Sequence, residues 1–327
     1  MSSLEFDPAR LRVERAGKHA AEMALVWNEF LEPHPFDFTL SRMSAKEYEM
    51  RVLLESPIPP ELSVLFGEWL YNLRSALDYV VWAAAVHTSR KYPPTGESAL
   101  QYPIYDDASS WKRNLYRLAP LAEHHREMLL TMQPFNSDPD GNYLGWLNRL
   151  ARIDRHRTLA VSTARVAEAE PAVAVPRNAA PRFSWGERTF RNDVCRLGRL
   201  TFEREVEPEE LHFNPRVGID PEIDEWSKSP FWSRIRFSER LRMIELFVAV
   251  EITIYEFDTT GDSEGAERLA DTFRDDVLRR RAAEIERPIE RLEHAELIWS
   301  DPVAGRDSTR GRLLGEDFPS HGSHFVG

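Results

Sequence analysis

The sequence predicts a mainly α-helical protein, a helical-bundle core with a small antiparallel β-sheet and so α+β overall. Three observations carry that prediction. Gly67 to Val86, GEWLYNLRSALDYVVWAAAV, is apolar nearly all round at helical spacing; charged segments with three- and four-residue apolar steps lie on both sides of it; and short strand-like runs broken by Pro, Gly and Asn fill the region after Thr158. With 327 residues and 42% hydrophobic content, the chain can bury a sizeable core.

Pro8 to Glu32 places Leu11, Ala20, Met23, Ala24, Trp27, Phe30 and Leu31 along one face, which predicts an amphipathic covering helix ended by Pro33 and Pro35. Phe36 to Ser41 and Tyr48 to Glu55 read as two short strands around a polar turn. Pro57, Pro59 and Pro60 reset the chain before the central helix, where Phe66, Leu70, Leu73, Leu77, Val80, Val81 and Ala84 make one stripe at about 100° per residue. Tyr71 and Trp82 cover much of the opposite side. Arg74 and Asp78, one turn apart within this apolar rod, are therefore expected inside or against packed protein, where charges need partners.

An irregular stretch from Thr88 to Ser110 follows, and Trp111 to Met132 reads as one or two helices divided by Pro120. His124 and His125 are adjacent, so on a helix they point about 100° apart. They are read as surface histidines, and no metal site is expected from them. The loop QPFNSDPDGN leads to a second notable helix, Tyr143 to Thr158. There Trp146, Leu150 and Ile153 define an apolar side, with Asp154 and Arg157 on or beside it; Arg149, Arg152, Arg155 and His156 group opposite. The outward arginines are a candidate phosphate-binding stripe, or a solvated face whose cations suit the C-terminal end of the helix dipole. Asp154 and Arg157 are the natural complement of Arg74 and Asp78, and Asn72 and Ser75 would satisfy groups nearby.

Strand-like runs then occupy Leu159 to Val166, Ala172 to Val175, Arg188 to Phe190, Val194 to Glu205 and Glu210 to Phe213. Ser238 to Asp258 favours a helix through Leu241, Ile244, Phe247, Val248, Ile252 and Tyr255, while its β-branched centre also suits a strand. A charged helix over about 263–297 closes the globular part. The expected organisation is one globular unit over 1–300, with a helical core about 8–158 and 238–297, a strand-rich insertion about 159–215, and a disordered polar tail over 301–327.

The 42 basic and 54 acidic residues leave a net charge of −12, which excludes a general nucleic-acid or anionic-membrane coat but leaves room for a local basic patch. A single cysteine, Cys195, excludes an intramolecular disulfide framework and fits a reducing cytoplasm; it reads as a core residue more than as a nucleophile. The N-terminus shows no basic region followed by an apolar run, so no secretory signal is expected, and the longest apolar runs fall short of the roughly 20 residues that cross a bilayer. Dinucleotide, Walker A, zincin and nucleophile-elbow motifs are absent, and no cofactor is expected.

NLRSALD at Asn72 to Asp78, YPIYD at Tyr102 to Asp106 and IDRHR at Ile153 to Arg157 resemble a family of uncharacterised bacterial proteins that share these three elements, over about Glu61 to Thr158. That family has no established activity, so the resemblance bears on fold. Its RSALDH form is more distantly similar to HEPN domains, helical bundles that include metal-independent ribonucleases. This likeness implies an Arg that steadies the scissile phosphate and a His that acts as acid or base, and here it would make Arg74 and His156 the catalytic pair. The family's His position is Tyr79 in this chain, and residues five apart on a straight helix point about 140° apart, so a site there would need a kink or a second subunit. A homodimer is compatible with that geometry.

Two functions follow as expectations. One is a non-catalytic cytoplasmic binding or scaffold protein in which Asn72, Arg74, Ser75, Asp78, Asp154 and Arg157 form a buried polar network or the floor of a pocket for an anionic ligand. The other is a divergent HEPN-like endoribonuclease or RNA-binding protein.

Overall fold

The computed structural model describes residues 3–156, 161–169, 172–176, 178–214, 216–271, 274 and 311–312. The fold is α+β, with helices outweighing strands. The chain forms two compact units: the described residues of 1–26, 60–161 and 225–279 make the first, and those of 27–59, 162–224 and 280–327 the second. The sequence reading of one unit over 1–300 had grouped the early hairpin with the helices. Strand pairing groups it with the later strands instead.

The first unit is built on α1 (Asp7–Leu31, whose last turn from Trp27 belongs to the second unit), α2 (Glu61–Ser89), α3 (Ala108–Asn114), α4 (Glu123–Thr131), α5 (Tyr143–His156), α6 (Asp224–Lys228, from Glu225 on) and α7 (Phe237–Thr260). The prolines before α2 cannot continue a ladder. The helix ends where Arg90 turns to φ 55° and donates its N–H to the Val86 carbonyl, closing the last turn. Leu62, Phe66, Trp69, Leu73, Leu77, Val80 and Ala84 of α2 are buried, and α2 packs against α5 and α7. Segment 238–258 is helical: Leu241, Ile244, Val248, Ile252 and Tyr255 of α7 are all buried, a 3.6-residue spacing that the β-branched centre does not override. Gly261 ends α7 at φ 75° with its N–H on the Phe257 carbonyl, a conformation glycine adopts without strain.

An aromatic cluster reinforces this core. Phe66 stacks on Trp69 with ring centroids 5.3 Å apart, and Trp226 stacks on Trp232 at 5.5 Å. The Trp69 indole donates to Glu245 Oε1 at 2.7 Å, so a buried aromatic finds an acceptor on α7. Trp226 comes from α6 and Trp232 from the turn after it. Beyond α7, residues 264–271 are helical, and the rest of the charged segment to 297 lies outside the described residues.

The second unit contains a five-stranded sheet in the order β5-β6-β2-β1-β9, from β1 (Phe36–Ser44), β2 (Glu47–Leu54), β5 (Pro181–Trp185), β6 (Val194–Phe202) and β9 (Gly311–Arg312). Pairing is antiparallel except at β9, which lies parallel to β1. The rest of the tail over 301–327 lies outside the described residues. Two short pairs complete the strands: β3 (Val161–Ala169) with β8 (Val217–Ile223), and β4 (Ala172–Ala174) with β7 (His212–Asn214). Tyr48, Met50 and Val52 of β2 and Leu197, Leu200 and Phe202 of β6 are buried. Cys195 is buried with them, and burial pushes its thiol up to about 12, so it is no nucleophile at neutral pH.

Candidate functional site

The polar patch of α2 lies at a cleft of about 640 Å³ in the first unit. Gly67, Tyr71, Arg74, Ser75 and Asp78 recur at three- and four-residue steps and therefore share one helix face. They form one wall of the cleft. Residues 99–105 form a second, the turn carrying Arg117 a third, and Asn148, Ala151 and Asp154 of α5 a fourth.

The Arg74 and Asp78 side chains are 19% and 38% exposed, so they edge an open cleft and lie against packed protein, one of the two placements expected for them. Both engage the backbone of Tyr102. Asp78 Oδ1 accepts the Tyr102 N–H at 2.9 Å, and Arg74 Nη2 donates to the Tyr102 carbonyl at 2.6 Å. The two side chains are 3.8 Å apart, a loose ion pair. Residues one turn apart on α2 thus meet both main-chain groups of one residue, as a neighbouring strand would. Burial pushes the Asp78 carboxyl above its ordinary value, against the opposing pull of Arg74 and the Tyr102 N–H.

The same segment is held from two further sides. Gln133, fully buried, donates through Nε2 to the Pro103 and Leu129 carbonyls, each at 2.9 Å, and accepts the Tyr105 N–H through Oε1 at 2.9 Å. The Tyr102 hydroxyl donates to Glu251 Oε2 on α7 at 2.7 Å, and burial pushes that carboxyl up. YPIYD therefore has its Tyr102 and Tyr105 N–H groups and its Tyr102 and Pro103 carbonyls satisfied by side chains of α2 and Gln133.

Asp154 enters the cleft from α5. Its carboxylate sits against Gly67, where a methyl group would lie 2.6 Å from Oδ2 and 2.9 Å from Oδ1. Glycine at 67 is what lets a carboxylate of α5 approach the α2 backbone there. Arg74, Ser75, Asp78 and Asp154 thus line one cleft together. Asn72 is placed elsewhere: it accepts from Arg12 Nη1 of α1 at 3.3 Å, beside a second cleft of about 540 Å³ that shares Gly67, Tyr71 and Asp154 with the first. The Arg157 residue and the His156 side chain lie outside the described residues, as does the Arg155 side chain.

Tyr71 lines the cleft, whereas Tyr79 and Trp82 are not among its described lining residues. Of the outward arginines, Arg149 stacks on the Trp146 ring at 4.7 Å, and Arg152 lies 3.9 Å from Asp106, both of these groups being exposed. Sequence reasoning missed Tyr105, Asn114, Arg117 and Asn148. Asn114 and Arg117 are three residues apart, but Tyr105 and Asn148 come from other segments, and no residue pattern marks the four as one site.

No helix among the described residues is long and apolar enough to cross a membrane. Searches of protein-family models, curated proteins and solved structures find no match to this chain.

Proposed function

We propose that the first unit is a helical-bundle binding module, non-catalytic and cytoplasmic, whose cleft takes a nucleotide-sized polar ligand. The observation that carries this reading is the use of Arg74 and Asp78: both are committed to the backbone of Tyr102, and in holding it they shape one wall of the 640 Å³ cleft. That volume falls within the roughly 300–1,000 Å³ of small-molecule sites. Tyr71 and Tyr105 offer ring faces, Arg117 a cation, and Asn148 and Asp154 hydrogen-bonding groups for a sugar or base edge. The reduced, buried Cys195 suits a cytoplasmic setting.

A HEPN-like ribonuclease needs an arginine aimed at a scissile phosphate. Arg74 Nη2 instead donates to a main-chain carbonyl, and the residue five positions on, Tyr79, is not among the described residues at the cleft. The resemblance of the NLRSALD, YPIYD and IDRHR elements to an uncharacterised bacterial family supports a shared scaffold role for the brace.

The test is thermal unfolding and calorimetric titration of the full chain with the four ribonucleoside 5′-monophosphates. At least one is expected to raise the melting temperature. Tyr71→Ala is expected to weaken its binding by about 1–3 kcal/mol through lost stacking. No stabilisation by any of the four, or equal stabilisation of the variant, would overturn the proposal. Metal-independent cleavage of RNA that is lost in both Arg74→Ala and His156→Ala would establish the nuclease instead.

A further inference from the structure

Away from the cleft, the first unit brings together three groups whose chemistry suits a cation. His124 and His125 open α4, just after the extended residue Ala122, and Asp258 stands near the end of α7. Adjacent helical residues diverge by about 100°. Both rings nevertheless turn to one point: His124 Nε2 is 2.7 Å and His125 Nε2 2.8 Å from the same oxygen, Asp258 Oδ2. The rings are 4.2 Å apart between centroids, and the donor atoms of all three residues lie within 4.8 Å of one another. The reading of both histidines as surface residues is therefore corrected for His125, whose side chain is 2% exposed and packs on the Tyr255 ring.

We propose that His124, His125 and Asp258 form a binding site for a divalent transition-metal ion of the zinc class, held through the two Nε2 atoms and the carboxylate. Two imidazoles and one carboxylate are a donor set such ions favour, and three protein ligands leave a fourth position for water or another ligand. The site is anchored on one side and open on the other. His125 is fixed in the core, with Thr259 Oγ1 3.4 Å from its Nε2 and its Nδ1 enclosed without a hydrogen-bond partner, so Nε2 is the nitrogen it presents. The His124 and Asp258 side chains are 56% and 37% exposed, which gives an ion access from solvent. Among the described residues, His87 of α2 also lies near His125. An ion here would tie the start of α4 to the end of α7.

The same geometry without an ion is a carboxylate oxygen accepting two imidazole N–H bonds, and the experiment separates the two. Chelator-stripped full-length protein is titrated with Co²⁺, followed by visible d–d absorption, and with Zn²⁺, followed by calorimetry and thermal unfolding. The expected result is one ion per chain, displacement of Co²⁺ by Zn²⁺, and a melting temperature that rises with metal concentration. Loss of an outer-shell partner alone costs about 10–100-fold in metal affinity, so His124→Ala and Asp258→Asn are each expected to weaken binding by about 100-fold or more. Both positions are solvent-accessible, so folding of the variants can be confirmed by circular dichroism before titration. His19→Gln, remote from the trio, is expected to bind as the wild type does. An absence of binding, or binding undiminished in both His124→Ala and Asp258→Asn, would overturn the proposal.

Discussion

Replacing Asp78 by Ala removes the acceptor of the Tyr102 N–H and one of the two contacts that hold the YPIYD segment against α2. A backbone N–H left without a partner costs about 1–3 kcal/mol. Water can reach a site where the side chain is 38% exposed, which places the cost near the lower half of that range, about 1–2 kcal/mol. The 3.8 Å pair with Arg74 is partly solvated and adds no more than about 0.2–1 kcal/mol. Asp78→Ala is therefore expected to lose about 2 kcal/mol. Asp78→Asn keeps a carbonyl oxygen in place of the carboxylate and loses only the charge, so it is expected to lose less than about 1 kcal/mol. The pH dependence has a definite sign. Burial raises the folded-state pKa of Asp78, so the native protein binds this proton more tightly than the unfolded chain does. The stabilising contribution of that proton is complete below the unfolded value of about 3.9 and is lost as pH rises through the folded value. The deficit of the Asn variant relative to wild type should narrow across that window as pH increases. Urea denaturation followed by tryptophan fluorescence gives the energies, and amide exchange at Tyr102 reports the bond itself. Equal destabilisation by Asn and Ala, or a Tyr102 amide that exchanges freely in the wild type, would refute the brace.

Tyr102→Phe removes the donor to Glu251 and leaves a buried carboxyl without that partner, for an expected loss of about 1–3 kcal/mol. Because burial already raises Glu251, protonation relieves part of the cost: the loss should shrink as pH falls below the folded value of this carboxyl, which urea midpoints across the acid range will show. Cys195, with its thiol raised to about 12, is expected to resist iodoacetamide in the native protein at neutral pH and to label on unfolding; rapid native labelling, read by mass spectrometry, would contradict its burial.

Much of the helical layout was legible because periodicity is a local property. The stripe through Phe66, Leu70, Leu73 and Leu77 identified α2, the prolines at 57, 59 and 60 marked its start, the spacing in α1 located that helix within a residue, and that in α5 located its start at Tyr143. The hairpin of β1 and β2 was visible from its two apolar runs. Strands β5 and β8 were not: every residue of Pro181–Trp185 is exposed, and Val217–Ile223 contains a proline and an acidic pair. Their pairing depends on partners distant in sequence.

Sequence alone established that an apolar helix carries Arg74 and Asp78 and that physics obliges both to find partners. Only tertiary structure decided what those partners are. The sequence reading matched charge with charge, pointing to Asp154 and Arg157, because side-chain identity is all that a sequence displays. Arg157 lies outside the described residues; among the described residues, one partner of both side chains at hydrogen-bonding distance is the main chain of Tyr102, and a backbone N–H and carbonyl have the same chemistry at nearly every position, so no residue code announces which one will be used. The same limit applied at His124 and His125. Helical geometry sends adjacent side chains apart, and it took Asp258 on α7 to turn both rings to a single oxygen.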